Sequence, residues 1–227
     1  MFEFTIREND FLNGFLDLLS DYVNKSYKFT MSYLTSPLLS DVRESERLVL
    51  LVVNKSVFQN MYSFIKLNDS NMQFASFSCL ETAVNSMRLY NVLATNPDYM
   101  HEYITGGNFS LQVCENEISE KQKEYKKGEE EFSLREFATG LGKFNSCELK
   151  NAAVASQLVD GNIFLGLSCG NELGEDLQNE VRKSMIGAYL SLSKHNKMFF
   201  NGGIDDTLEE LEDKLYAKFL EYIKKFS

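Results

Sequence analysis

Histidine is the first residue type to consider, because an imidazole side chain can transfer a proton or bind a metal ion near neutral pH. The chain has two, His101 and His195. Neither has a second histidine or a carboxylate at the spacing of a known metal-binding motif. Metal-dependent hydrolysis needs several such ligands that converge on one ion. The sequence therefore predicts neither a metal site nor a bound cofactor.

A second set of reactive side chains follows one predicted helix, from about 174 to 200. Tyr189 and Ser193 are one turn apart on it, and His195 falls near its end, where the helix dipole would stabilise a protonated ring. Two interpretations stay open. Either His195 is a capping, partly exposed side chain, or it is the general acid and base of an enzyme in which Arg182 contacts a phosphate.

A third set lies on the largely apolar helical segment predicted over 77–93. Glu81 and Arg88 are two turns apart, and so on nearly one face, and Tyr90 follows them. A charge beside an apolar stripe is costly unless it is paired. These residues form either an ion pair between helices or a polar pocket inside a helical bundle. For the pocket, the candidate ligand-binding residues are Glu81, Arg88 and Tyr189.

Two other catalytic patterns are missing from the chain. The segment Gly140-Leu-Gly142-Lys143 approaches a phosphate-binding loop, but Phe144 replaces the required Ser or Thr. We interpret its glycines as helix ends. No Gly-x-Ser-x-Gly sequence is present. The four cysteines lie far apart, a pattern typical of reduced thiols, several of them buried: Cys79, Cys114, Cys147 and Cys169.

The elements that must position these side chains are helices, because apolar residues recur at three- and four-residue spacing. The predicted helices span about 8–29, 39–67, 70–95, short stretches from Pro97 and Ser133, 174–200 and 205–226. A Ser- and Thr-rich loop is predicted over Thr30–Pro37, and Ser40 is the expected N-cap of the next helix. The run Leu48–Val53 is apolar all round; a strand is an alternative there, but its flanks favour a long buried helix.

These elements predict an all-α fold, an up-and-down bundle of five to seven helices that forms a single domain over residues 1–227. Residues 115–136 hold eight acidic and five basic side chains, which predicts a charged insertion near the middle of the chain, either a solvated helix or a mobile excursion. Residues 145–173 are left unassigned. The last predicted helix, 205–226, has an apolar face. If apolar residues beside that face are exposed, the helix would be a dimer contact.

Charge and hydropathy limit the partners. The chain has 23 basic and 33 acidic residues, a net charge of −10, which disfavours nucleic-acid binding unless the basic residues cluster, and no cluster is evident. The N-terminus lacks the order of an export signal, and the longest apolar run is far shorter than the roughly 20 residues of a membrane span. We therefore expect a cytoplasmic protein that contacts no membrane and binds another protein or a second copy of itself.

A resemblance is carried by the segment Cys79-Leu-Glu-Thr-Ala-Val-Asn-Ser-Met-Arg-Leu-Tyr90, followed by Asn96-Pro97. It resembles one helix of uncharacterised bacterial helical proteins that are distantly similar to the HEPN group (higher eukaryotes and prokaryotes nucleotide-binding domains). The segment Tyr189-Leu-Ser-Leu-Ser-Lys-His195 resembles a later helix of such proteins. Kinship with that group would imply a helical bundle, often dimeric and sometimes RNA-cleaving.

The chain departs from the catalytic spacing of that group. Its ribonuclease members have an Arg and a following His with four to six residues between them. Here Arg88 precedes His101 by 13 residues, and Arg182 precedes His195 by 13. The expected function is therefore that of a non-catalytic helical bundle that acts through protein contact or self-association, in bacterial defence or regulation. The alternative is a HEPN-like enzyme that cleaves RNA or processes nucleotides.

Overall fold

A computed structural model describes residues 10–39, 42–69, 73–107, 109–117, 175–199 and 206–226. Six α-helices have both ends in these ranges: α1 (Asp10–Leu34), α2 (Glu44–Asp69), α3 (Gln73–Thr95), α4 (Pro97–Thr105), α5 (Glu175–Lys197) and α6 (Asp206–Phe226). A short 3₁₀ helix spans Pro37–Leu39, and residues 111–117 are helical. These ranges contain no strand, so the prediction of an all-α bundle is confirmed.

The first helix is longer than predicted. The loop expected over Thr30–Pro37 is wrong in its first half, because α1 continues to Leu34. The Thr30 hydroxyl donates to the Tyr27 carbonyl at 3.3 Å, within the helix, and Leu34 is buried in the core. Burial of Thr30 and Leu34 therefore outweighs the weak helix propensity of a Ser- and Thr-rich segment.

The apolar run of the second helix is helical, which excludes the strand alternative. It is not buried all round, however. Val53 is buried, whereas Leu48 and Val52 are 60% and 61% exposed. Among the described residues, α2 is also the one helix long and apolar enough to cross a bilayer, although a core helix of a bundle passes the same test; 39% of its most apolar window is buried inside the molecule.

The short fourth helix follows the predicted stop and start signals. The Asn96 side chain accepts a hydrogen bond from the Asp98 backbone N–H at 2.9 Å, and Pro97 occupies the first helical position, where its missing N–H costs nothing. Gly106 ends the helix with φ of 69°, a left-handed conformation that favours glycine. The backbone N–H of Gly107 then bonds to the Glu102 carbonyl at 3.0 Å.

The main core lies where α1 packs against α2, α5 and α6, with α3 against α2 and α5. Its fully buried members come from all five helices: Phe15, Leu19, Val57, Phe64, Phe77, Leu80, Ala188, Leu192 and Leu215. A second cluster lies at the end of α5 and includes Leu34, Val53, Tyr90, Leu93, Met100 and Phe199. Large apolar side chains recur on one face of each helix, so the bundle is a direct consequence of the helical pattern.

Several predictions fall outside the described ranges. Ser40, the expected N-cap, the short helix from Ser133 and the unassigned segment 145–173 all lie there. Of the charged segment 115–136, residues 115–117 are described, and they are helical. The single-domain prediction for residues 1–227 and both alternatives for 115–136, a solvated helix or a mobile excursion, therefore stay predictions.

Candidate functional site

His195 lies inside the bundle, at the last turn of α5, and is fully buried. Its Nε2 is 3.0 Å from Oδ1 of Asn54 on α2. The amide orientation of Asn54 follows from its contact with Thr30 on α1. The Thr30 hydroxyl donates its hydrogen to the Tyr27 carbonyl, so it accepts from Nδ2 of Asn54, at 2.9 Å. Asn54 Oδ1 is then the acceptor, and the hydrogen of the neutral His195 ring resides on Nε2. One side chain from each of α1, α2 and α5 therefore meets in a buried chain of hydrogen bonds.

Aromatic rings enclose the other sides of His195. The ring centroids of Tyr90, Phe199 and Phe58 lie 5.1, 5.3 and 6.2 Å from the centroid of the imidazole. Burial away from water lowers the pKa of His195 to about 3, because removal of the ring from water disfavours the charged imidazolium. His195 is therefore neutral at physiological pH.

This environment overturns the expectation that His195 is a partly exposed side chain stabilised as a cation by the helix end. A helix dipole contributes up to about 2 kcal/mol to a favourably placed cation. The shift of the His195 pKa from 6.5 to about 3 corresponds to roughly 5 kcal/mol against the cation. Burial therefore dominates over the dipole at this position.

Two buried acceptor atoms have no hydrogen-bond partner among the described residues at the end of α5. They are His195 Nδ1 and Asn196 Oδ1. Because Nε2 of His195 carries the hydrogen, its Nδ1 presents a lone pair to its apolar surroundings. Such an atom can accept a hydrogen bond, but the aromatic rings around it leave the imidazole with no exposure to solvent.

Asn196, the next residue of α5, forms further buried hydrogen bonds with side chains of α1. Its Nδ2 donates to the Tyr22 hydroxyl at 3.0 Å and to the Ser26 hydroxyl at 2.7 Å. Tyr22, Ser26 and Thr30 are spaced by four residues, so they lie along one face of α1. This hydroxyl row and the two residues at the end of α5, with Asn54, define what we call the buried polar cluster.

A third polar contact joins α5 to α6 through Glu212. Ser193 donates a hydrogen bond to a Glu212 carboxylate oxygen, and the Tyr189 hydroxyl donates to the Glu212 backbone carbonyl at 3.3 Å. Burial, followed by the charge of Glu212, raises the pKa of Tyr189. The ring of Tyr189 also packs edge-on against that of Tyr22, with centroids 6.0 Å apart. Tyr189 is thus a neutral, packed side chain of the core.

The ion pair of Arg88 is formed with the helical residues after α4. Its Nε donates to Glu115 Oε1 at 2.7 Å and its Nη2 to Oε2 at 2.5 Å, a bidentate arrangement. The hydrogen bond to Glu115 is the main reason that the pKa of Arg88 is raised. Nearby, the Tyr99 hydroxyl donates to Glu117 at 2.6 Å, and this bond is the main cause that raises the pKa of Tyr99 to about 12.

The sequence-predicted candidates are not gathered at one point. Arg88 contacts Glu115, whereas Tyr189 contacts residues of α1 and α6. Glu81 is half-buried on α3. The backbones of Arg182 and His195 lie on one continuous helix, 13 residues and therefore about 20 Å apart. The side chain of Arg182 lies outside the described part of the chain, so the pairing of Arg182 with His195 stays a prediction.

His101, the second histidine, is exposed on α4. Within the described ranges, no group of three His, Cys, Asp or Glu side chains could hold a metal ion. Cys79 and Cys114 are free thiols, and burial raises the pKa of each. Neither thiol is therefore activated as a nucleophile.

The polar partners of His195 were missed by sequence reasoning. Asn54 directly follows the apolar run that ends at Val53, and an amide there is a signal of a buried polar contact. The four-residue spacing of Tyr22, Ser26 and Thr30 is a second signal. Neither signal names its partner, because the pairing depends on how three helices pack.

Comparison with protein families, curated proteins and solved structures yields no match to this chain. The resemblance to HEPN-like proteins, carried by segments 79–90 and 189–195, therefore stays a prediction. Function has to be inferred from the chain's own chemistry.

Proposed function

We propose that this protein is a non-catalytic helical bundle that acts by binding another protein through the exposed face of α2. The observation that carries the proposal is the exposure of Leu48 and Val52, at 60% and 61%, one turn apart on the same face of the helix. Isolated exposed apolar residues are ordinary on a protein surface. Two adjacent aliphatic side chains within a six-residue apolar run are typical of a contact surface.

The interior of the bundle supports the same proposal. A catalytic imidazole has to reach its substrate and to change protonation near the working pH. His195 does neither, because it is fully buried and its pKa is lowered to about 3. Its hydrogen bond to Asn54 instead connects α5 to α2. The reactive side chains on α5 hold the bundle together, and the contact surface lies on its outside.

Site-specific photo-crosslinking tests the proposal. In one variant, a photo-reactive amino acid is incorporated in place of Val52, and the protein is irradiated inside the cells that make it. In a matched control variant, the same amino acid replaces Lys28, an exposed residue of α1. We expect covalent adducts of higher mass from position 52 and none from position 28. Leu48→Lys in the same chain should abolish the adduct, since a charge one turn from position 52 opposes burial of this face of α2.

Two outcomes would contradict the proposal. One is the absence of any adduct from position 52 in cells where the protein is well expressed. The other is an equal yield from positions 52 and 28, which would indicate random collision. Circular dichroism of the purified Leu48→Lys variant controls for loss of the helical fold.

A further inference from the structure

A continuous exposed stripe runs along α2. Its six residues are separated by four, three, four, three and four positions, and all are exposed: Leu48, Val52, Lys55, Gln59, Tyr62 and Lys66. Between the first and the last of them, the only charged residues of α2 are the two lysines. On a chain of net charge −10, this α2 stripe is therefore basic and apolar.

A stripe of matching spacing and opposite charge runs along α6. Its five residues are separated by three, four, three and four positions, and all are exposed: Asp206, Glu209, Asp213, Tyr216 and Leu220. The opposite side of α6 carries the buried leucines that pack in the core. The α6 stripe therefore presents an acidic half followed by an apolar half.

An alternation of three- and four-residue steps is the spacing by which two helices pack side by side along a coiled-coil seam. The last residue of the α6 stripe is 14 positions after the first, and Tyr62 is likewise 14 positions after Leu48 in the α2 stripe, so each length is about 21 Å. Two stripes of equal length and equal spacing can align residue by residue.

From this match we infer that the partner of the α2 face is a second copy of the chain, whose α6 stripe packs antiparallel on it. The inference rests on the proposed function and names its partner. The antiparallel alignment places these side chains opposite one another: Leu48 and Leu220, Val52 and Tyr216, Lys55 and Asp213, Gln59 and Glu209, and Tyr62 and Asp206.

The antiparallel direction follows from the order of the apolar residues. It sets Leu48 and Val52 against Leu220 and Tyr216. A parallel alignment in the same spacing would set Val52 against Asp206 and Lys66 against Leu220, so that each aliphatic side chain would face a charge that loses water. Each direction places one lysine opposite one acidic residue, so the apolar pairs decide between them.

The contact is small, with five or six side chains from each helix. Stable interfaces bury about 1,200–2,000 Å² in total, and a single pair of helix stripes falls short of that. Self-association should therefore be reversible and should depend on concentration in the micromolar range. The pairing of Lys55 with Asp213 also makes it weaken as salt concentration rises.

Sedimentation equilibrium of the purified full chain, from about 1 to 300 μM (a range that brackets micromolar dissociation constants), tests the inference. We expect the mass to rise above the monomer value of 26.0 kDa. Lys55→Glu and Asp213→Lys should each weaken association by about tenfold, the effect of replacing an attractive charge pair with a repulsive one. The double variant Lys55→Glu/Asp213→Lys should restore it, because the pair is re-formed with its charges exchanged.

Lys28→Glu is the matched control, since it makes the same charge change on an exposed position of α1. It should leave the association constant within about twofold, because it lies outside both stripes. Circular dichroism of every variant reports whether the helices are intact.

A wild-type chain that stays monomeric at the highest concentration would overturn the inference, as would a double variant no better than its parents. Failure of this inference is distinct from failure of the proposed function. If the purified chain is monomeric but position 52 crosslinks to a different protein in cells, self-association is wrong and the α2 contact surface is still supported. No adduct at position 52 rejects the contact surface itself.

Discussion

Val52 and Asn54 are two residues apart on α2, yet the apolar side chain is 61% exposed and the amide is fully buried. The buried polar cluster places hydrogen-bonding groups in the core, and the α2 stripe places aliphatic groups in water. Both are unfavourable unless a partner is supplied. The partner of Asn54 is within the chain, at His195 and Thr30. Val52 stays exposed in the single chain, and the α2 contact proposed above would cover it from outside, so we expect the two regions to respond differently to perturbation.

Acidification should produce the largest effect on the free energy of unfolding, and it should act through the buried polar cluster. The folded-state pKa of His195 is about 3 and its ordinary value is 6.5, so the unfolded chain binds the proton more tightly. The His195 contribution is complete above pH 6.5 and is lost as the pH falls through 6.5 toward 3. Between pH 7 and pH 4 the free energy of unfolding should decrease by about 3 kcal/mol from this group.

Urea denaturation at a series of pH values measures this loss. Carboxylates also titrate in the range, so the relevant quantity is the difference between the wild type and His195→Gln, which carries no titrating group at this position. His101→Gln, at an exposed histidine, should follow the wild-type profile. Parallel profiles for the wild type and His195→Gln would show that His195 is hydrated in the folded chain.

Removal of the central amide should rank second. Asn54→Ala leaves the Nε2 hydrogen of His195 and the hydroxyl of Thr30 without their buried partner, which should lower the free energy of unfolding by about 2 kcal/mol. Chemical denaturation measures the change. Gln59→Ala, at an exposed position of the same helix, should alter stability by less than about 0.5 kcal/mol. Equal effects of the two variants would contradict a special role for the buried amide.

The partly exposed ion pair should contribute less than the buried amide. Arg88→Ala removes the bidentate contact with Glu115, where the side chains retain 26% and 14% of their exposure. We expect a loss of about 1 kcal/mol in the free energy of unfolding, which decreases at high salt. Lys218→Ala, which breaks the more exposed contact with Glu221 at 3.4 Å, is the reference and should change stability by less than half as much. No salt dependence in Arg88→Ala would assign its effect to packing.

Substitutions in the exposed α2 stripe should have the smallest effect on folding. Leu48→Ser and Val52→Ser remove apolar surface that the isolated chain leaves in water, so the unfolding free energy measured at low protein concentration should change by less than about 0.5 kcal/mol. The same substitutions should lower the mass observed by sedimentation equilibrium at high concentration. A large loss of stability at low concentration would show that these side chains are packed within the monomer.

The helices could be predicted largely because their signals are local. The cap at Asn96, the proline at position 97 and the left-handed Gly106 lie close together in the chain, and the structure confirms the helix they delimit. The end of α1 could not be predicted in the same way. Thr30 belongs to the helix because Asn54, 24 residues later, donates a hydrogen bond to it.

The candidate site was less accessible to sequence reasoning for the same reason. The spacing of Tyr189 and Ser193 correctly places both on one face of α5, where they bond to Glu212. The state of His195 depends on rings from α2, α3 and the turn after α5, none of which its own helix specifies. Position along a helix predicted a cation, and the packing of three other segments determined a neutral ring.

His195 and Asn196 are neighbours in the chain that reach in different directions, to α2 and to α1 respectively. Successive residues of a helix are rotated by about 100° around its axis. A rotation of α5 by one residue that turned the imidazole toward the hydroxyls of α1 would carry the amide of Asn196 a further 100° past them, by the same angle per residue. A rotation in the opposite sense would turn the amide toward the aromatic rings and the imidazole away from Asn54. The two adjacent side chains therefore fix the azimuth of α5, so that this helix has one orientation in the bundle, whereas a helix end with only aliphatic contacts could adopt several.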